Sequence, residues 1–172
     1  MDFIELAKKR YSARSYTDRQ VEKEKLDRIL EAAHVAPTAA NRQPVRILVV
    51  QSAEGIEKVG KAANIHGARC ALIIMTDTDK VWQRSYDDKK TTDIDASILT
   101  DHMMLEAADL GLGSVWICKF DPAVLKEEFD IPDNLVPVNI LALGYAACEP
   151  ADPERHSQKR VPVEEITFYE KL

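Results

Sequence analysis

The chain has 172 residues, of which 45% are hydrophobic and 30% charged, and its formal net charge is −6. This length predicts one domain, spanning residues 1–172, with its own hydrophobic core. The acidic balance excludes a general binder of nucleic acid or of anionic membranes. No apolar run approaches the ~18 residues of a membrane helix, and no cleavable leader is visible. Three widely spaced cysteines indicate free thiols in a reducing compartment, so a cytoplasmic location is expected.

The first 40 residues predict two helices separated by a basic turn. Asp2 has the position of an N-cap, and the first helix is predicted to reach about Arg10, with Phe3 and Leu6 facing inward. Apolar residues at helical spacing predict a second helix over 22–35. A polar loop bounded by two prolines follows.

The rest of the chain alternates between predicted strands and predicted helices. Short apolar runs predict strands over 45–50, 71–75, 114–118 and 138–144. Helices are predicted from Ser52, from Thr92 or Asp93 to about Leu110, and from Asp121. The alternation predicts a layered α and β architecture. The helix that ends at Leu110 is apolar on nearly every side, which predicts burial in the core or at a subunit interface.

Most familiar catalytic patterns are missing from the sequence. The four histidines match no metal-ligand spacing, so no metal is expected. Gly111 and Gly113 follow a helix and precede a strand, which is the wrong order for a dinucleotide-binding fingerprint. Cys118 has no histidine base nearby in the sequence. These patterns by themselves single out no catalytic side chain.

A basic cluster begins where the first predicted helix ends. Four residues of the run Lys8-Lys9-Arg10-Tyr11-Ser12-Ala13-Arg14 are cationic. On their own these charges favour a solvated helix C-terminus, where they oppose the dipole, and a phosphate site is the alternative. Lys159-Arg160, near the other end of the chain, could converge on the same phosphate. The loop at 36–44 adds amide and hydroxyl groups suited to the edge of a heterocycle.

Several motifs occur in a fixed order along the chain. They are Arg10-Tyr11-Ser12-Ala13-Arg14, Ala36-Pro37-Thr38-Ala39-Ala40-Asn41-Arg42-Gln43-Pro44, Ala107-Ala108-Asp109-Leu110-Gly111-Leu112-Gly113-Ser114, Phe120-Asp121, Pro132-Asp133-Asn134-Leu135-Val136-Pro137-Val138, and Lys159-Arg160 followed by Val-Pro-x-Glu-Glu-Ile. In this order they resemble the motifs of the nitroreductase family of flavin enzymes. The resemblance covers nearly the whole chain.

The resemblance implies an α+β fold, with a mixed β-sheet flanked by helices, in an intertwined homodimer with a C-terminal extension. It implies FMN bound at the subunit interface, with the basic residues holding its phosphate and ribityl chain. The loop at 37–41 would approach the flavin of the other subunit, and the strand at 116–118 would pass its ring. The full set of implied FMN contacts is Arg10, Tyr11, Ser12, Arg14, Pro37, Thr38, Ala39, Asn41, Trp116, Ile117, Cys118, Lys159 and Arg160.

The activity implied by the resemblance is an FMN-dependent oxidoreductase. Electrons would pass from NADH or NADPH through the flavin to a small acceptor, such as a nitroaromatic, a quinone or an enone, by a ping-pong scheme. The flavin would carry the chemistry, which agrees with the missing catalytic motifs. The alternative is a flavin-binding or redox-sensing module without significant turnover. The acceptor, and any contact of Trp82 or Tyr86 with it, are left open.

Overall fold

A computed structural model of the chain describes residues 2–172. The helices are α1 Phe3–Lys9, α2 Lys23–His34, α3 Ala53–Ala62, α4 Thr92–Asp109, α5 Pro122–Glu128, α6 His156–Lys159 and α7 Val163–Ile166. The strands are β1 Val45–Val50, β2 Cys70–Asp77, β3 Gly113–Ile117 and β4 Leu135–Gly144, and short 3-10 turns occur at Ala39–Asn41 and Pro153–Arg155. Every strand and long helix predicted from the sequence is present.

Side-chain caps fix where several helices begin. The Asp2 carboxylate accepts a hydrogen bond from the Ile4 N–H at 3.0 Å, which starts α1. The Ser52 hydroxyl accepts one from the Gly55 N–H at 3.0 Å, which starts α3. Each cap satisfies a backbone donor that the first helical turn leaves unpaired. Asp121 caps α5 in the same way.

The four strands form one sheet in the order β1-β2-β4-β3, and all neighbouring pairs are antiparallel. A register shift between Ile74 and Met75 marks a bulge, which accommodates Pro137 inside β4. Ser12 adds a parallel bridge to Ser114 at the free edge of β3. The predicted α+β fold, with a sheet flanked by helices, is confirmed. The pairs between named strands are antiparallel, and the Ser12–Ser114 bridge lies outside these strands.

Helices pack on both faces of the sheet, so the core has two parts. On one face, α2 and α4 cover residues such as Leu72 and Leu141. On the other face, α3 and α5 cover residues such as Ile73 and Ile140. Strands β2 and β4 lie in the centre and are buried on both faces, which explains their nearly continuous apolar sequences.

Both ends of the chain depart in part from the sequence expectations. Phe3 was predicted to face inward, but its side chain is 63% exposed, because it lies at the open N-terminal end of the short helix α1. For residues 161–169 the sequence allows either an added edge strand or a segment that clasps a neighbouring molecule. The structure has the short helix α7 there and no strand, and Val163, Ile166 and Phe168 remain exposed. Within residues 2–172, no helix has the length and apolar character needed to cross a membrane.

Gly113 allows the N-terminal segment to approach β3 closely. A Cβ at this position would lie 2.8 Å from the Ala13 Cβ and 3.0 Å from the Ala146 Cβ. Both distances are shorter than ordinary van der Waals contact, and both neighbours are held by backbone hydrogen bonds of the residues around them. The absence of a side chain at Gly113 therefore sets the spacing between residue 13 and the sheet.

We expect Gly113→Ala to lower the free energy of unfolding by about 1–3 kcal/mol, because the added methyl group must displace backbone. Gly60→Ala is the matched control. Gly60 lies at an exposed position in the last turn of α3, and a Cβ there meets nothing within 4 Å. This control should not destabilise and should stabilise by up to about 1 kcal/mol, since alanine is a better helix former than glycine. Urea unfolding checks both changes, and equal effects of the two substitutions would contradict the close approach.

Candidate functional site

The segment from Arg10 to Arg14 is held against the sheet. Arg10 ends α1, and its N–H donates to the Leu6 carbonyl. The Ala13 N–H donates to the Ser114 carbonyl at 2.9 Å, and the Ala13 side chain is fully buried. Successive side chains of an extended segment alternate in direction, so Ser12 and Arg14 face away from the core on a common side.

The Tyr16 hydroxyl holds the backbone of this segment against the sheet. Its hydroxyl donates to the Ala13 carbonyl at 2.9 Å and approaches the Ala142 carbonyl at 3.4 Å. Burial, reinforced by the nearby Cys148 thiol, raises the pKa of Tyr16 above its usual value, so the phenol stays protonated and remains a donor. The backbone that carries the basic side chains is therefore fixed before any ligand arrives.

Arg155 joins the C-terminal segment to the end of α1. Its guanidinium donates to the Lys8 carbonyl at 3.0 Å and to the Arg10 carbonyl at 2.6 Å. Within its own segment it donates to the Asp152 carbonyl at 2.9 Å. Sequence reasoning missed Arg155, since an arginine in a polar tail carries no signal of a contact 145 positions away.

The two chain ends together line a cavity of about 310 Å³. Its lining residues are Arg10, Tyr11, Ser12, Arg14, Ala151, Arg155, His156, Lys159 and Arg160. Five of these nine are Arg or Lys, and none is Asp or Glu. The predicted convergence of the two basic clusters is therefore observed in the structure.

The electrostatics of this cavity, which we call the cationic cavity, favour an anion. Burial, followed by the positive charges of Arg155 and Arg160, lowers the pKa of Arg10 below its ordinary value. Asp101 opposes this effect only in part. The part of this shift that comes from Arg155 and Arg160 reflects repulsion between like charges, which a bound anion would relieve. Guanidinium groups, a lysine and a serine hydroxyl form a donor set suited to phosphate oxygens.

The loop with Thr38, Ala39 and Asn41 lies elsewhere on the chain. Thr38 lines a separate cavity of about 630 Å³, which shares no lining residue with the cationic cavity. Ala39 is half-buried, whereas Pro37 and Asn41 are exposed. One chain therefore does not bring this predicted loop into the cationic cavity.

This loop has a strained backbone. Ala40, Asn41 and Gln43 have positive φ angles of 49°, 52° and 49°. The left-handed region costs a non-glycine residue on the order of 1–3 kcal/mol. The Gln43 N–H donates to the Thr38 hydroxyl at 3.1 Å, which braces the loop internally.

The predicted residues of β3 point in different directions. Trp116 packs on the α4 side, and its indole N–H is buried with no hydrogen-bond partner among residues 2–172. Ile117 faces the opposite side and is buried among α3 and α5, while the Cys118 thiol at the end of β3 is exposed. A ligand on one face of the sheet can therefore touch only one of the first two side chains, and none of the three lines the cationic cavity.

The geometry gives little support for a metal site or for a reactive thiol at Cys70. Within residues 2–172, no three His, Cys, Asp or Glu side chains are grouped as potential metal ligands. Cys70 is buried in the core, and burial raises the pKa of its thiol to about 12, so it remains an unreactive thiol.

The fold and the cationic cavity define an α+β protein with a cluster of positive charge where its two chain ends meet. The nitroreductase family model matches residues 7–69 and 57–145. The chain belongs to the nitroreductase family.

Solved structures and a curated relative agree with this assignment. A nitroreductase family protein from Clostridium difficile 630 is 57% identical, with 100% of both chains covered and a TM-score of 0.98. An FMN-dependent nitroreductase from Clostridium difficile R20291 is 28% identical, with 98% of this chain and 99% of that chain covered and a TM-score of 0.75. The FMN reductase (NAD(P)H) of Bacillus subtilis is 29% identical over 87% of this chain and 68% of its own length.

Proposed function

We propose that this chain is an FMN-dependent oxidoreductase that passes electrons from NADH or NADPH to a small acceptor such as a nitroaromatic, a quinone or an enone. The observation that carries the proposal is the cationic cavity, where five Arg and Lys side chains meet without a carboxylate. The names of similar proteins, an FMN-dependent nitroreductase and an FMN reductase, support the same cofactor. The proposed unit is one FMN-binding domain, residues 1–172.

The chain's own residues would bind and orient the cofactor. Arg10, Ser12, Arg14 and Arg160 would hold the phosphate, and Tyr11 and Lys159 would complete the wall around it. Trp116 and the backbone of β3 would border the ring. Bound FMN would supply the redox chemistry, by taking up a hydride and then giving electrons to the acceptor. No side chain is required as acid, base or nucleophile.

A second subunit is part of the proposal. The Thr38 loop and the cationic cavity are separate within one chain, so one flavin could contact both only if two chains contribute. Exposed apolar side chains on α4 and in the tail, such as Ile94 and Phe168, offer surface for such a homodimer. Sedimentation of the flavin-loaded protein should give a dimer, and a stable FMN-bound monomer would contradict this part.

The free thiols support a reducing compartment such as the cytoplasm as the place of action. A catalytically idle flavin-binding or redox-sensing module remains the rival function, because the same cavity would bind FMN in both cases.

The visible absorption spectrum of the purified protein tests the proposal first. We expect flavin bands, and apoprotein should recover them when FMN is added. Under anaerobic conditions NADH or NADPH should bleach the flavin, and a quinone should restore its colour. A colourless protein that cannot be reconstituted would overturn FMN binding. A flavin that neither nicotinamide reduces would favour the module without turnover.

A further inference from the structure

The strained loop beside Thr38 is attached to α4 by one buried carboxylate. The Ala39 N–H donates to Asp95 Oδ1 at 2.9 Å, across 56 positions of sequence. The same carboxylate accepts a hydrogen bond from the Thr91 hydroxyl through Oδ2 at 3.0 Å. Asp95 is fully buried, although it is a charged residue.

The position of Asp95 explains how a buried carboxylate is tolerated. Asp95 lies in the first turn of α4, where the helix dipole favours negative charge. Both of its hydrogen-bond donors, the Ala39 N–H and the Thr91 hydroxyl, are neutral groups. Burying a charge carries a desolvation cost that a small apolar residue at this site would avoid. The carboxylate provides what an apolar residue cannot, which is a hydrogen bond to the loop.

The loop needs such an anchor because its backbone does not favour the conformation that it adopts. Three of the seven non-glycine residues with positive φ in residues 2–172 lie between positions 40 and 43. Strained conformations persist only where the surrounding structure holds them. Ala39 immediately precedes the strained residues, and its N–H is the group that Asp95 holds. The anchor therefore acts at the start of the strained turn.

We propose that Asp95 is a positioning residue for FMN, which holds the loop of Thr38, Ala39 and Asn41 in its binding conformation before the flavin arrives. This inference rests on the proposed function, in which that loop contacts FMN. Asp95 itself touches no flavin. Its effect passes through the Ala39 N–H and the left-handed turn that follows. Without this anchor the loop would have to become ordered during flavin binding, and the entropy cost of that ordering would weaken the affinity for FMN.

The test compares three variants of the full-length protein by titrating apoprotein with FMN. Asp95→Ala removes the acceptor, and we expect at least a 10-fold rise in the dissociation constant. Asp95→Asn keeps a carbonyl oxygen for the Ala39 N–H, while its amide can donate to the Thr91 hydroxyl, which in turn reaches the Trp82 carbonyl at 3.3 Å. Affinity should therefore stay within about threefold of wild type. Asp93→Ala removes an exposed acidic residue from the same helical turn and should also change affinity less than threefold.

Two readouts separate positioning from general stability. Thermal unfolding of each apoprotein reports stability, and the visible flavin spectrum and its circular dichroism report the flavin environment. An Asp95→Ala protein that melts lower but binds FMN as tightly as Asp93→Ala would overturn the proposal. An Asp95→Asn variant as weak as Asp95→Ala would also overturn it, since the retained acceptor would then have no value.

Hydrogen exchange gives a measurement that is independent of flavin and of variant folding. In wild-type apoprotein the Ala39 amide should exchange at least 10-fold more slowly than the amide of its exposed neighbour Ala40, because the buried carboxylate accepts from it. Exchange at the rate of an exposed amide would overturn the anchor. If wild-type protein binds no FMN, the proposed function fails, whereas the exchange result still decides whether Asp95 holds the loop.

Discussion

Replacing Arg10 with alanine is expected to raise the dissociation constant for FMN by about 10- to 150-fold. This corresponds to the ~1.5–3 kcal/mol of a lost charge-assisted hydrogen bond. Arg10 is half-buried in the cationic cavity, where burial and the neighbouring charges of Arg155 and Arg160 lower its pKa, so a bound phosphate would supply an opposite charge that this position lacks. The backbone anchor survives the substitution, because Arg155 binds the Arg10 carbonyl and not its side chain.

Riboflavin and a neighbouring lysine provide the controls for this prediction. Riboflavin lacks the phosphate, so Arg10→Ala should leave its affinity nearly unchanged. Lys9 is exposed and does not line the cationic cavity, so Lys9→Ala should change FMN affinity little. Equal losses for FMN and riboflavin would show that Arg10 acts on another part of the ligand. An unchanged FMN affinity would remove Arg10 from the site.

Leu141→Ala is expected to lower the free energy of unfolding by about 2–5 kcal/mol, through lost burial and the cavity left behind. Leu141 lies in the central strand β4 and is fully buried between its strand neighbours Leu72 and Trp116, under α4. Urea unfolding of the apoprotein measures the change. This is a large fraction of the stability of a domain of this size.

Val136→Ala is the matched control on the same strand. Val136 is 37% exposed near the start of β4, so its loss should cost far less than that of Leu141. A similar effect of the two substitutions would contradict the central position of Leu141 in the core.

Local sequence patterns predicted most of the secondary structure. The caps at Asp2, Ser52 and Asp121 fix helix starts through contacts within three residues, so they can be read directly from the chain. Burial on both faces makes β2 and β4 continuously apolar, which is equally visible. The burial of Phe3 was predicted wrongly, since periodicity gives the face of a helix but not whether another element covers it.

The cationic cavity could be predicted only where short sequence motifs supply its lining residues. The basic clusters around Arg10 and Arg160 could be paired in advance because both are unusual in an acidic chain. Arg155 and Asp95 could not be found in this way. Each binds a backbone group far away in the sequence. Because every residue offers similar backbone groups, the residue type at the partner position does not reveal the contact. The resemblance to a family supplied the loop at Thr38, but its separation from the cationic cavity within one chain became visible only in the fold.

The meeting of the two chain ends has a thermodynamic consequence. Arg155 and Arg10 are 145 positions apart, so folding must pay the entropy of closing nearly the whole chain before their cavity exists. An anion bound there would link the N-terminal and C-terminal segments noncovalently. Its binding energy is linked to the order of the C-terminal segment, because the cavity is lost when that segment detaches. Occupancy of the proposed site and attachment of the tail would thus be linked equilibria, in which a bound phosphate would oppose fraying from the C-terminus.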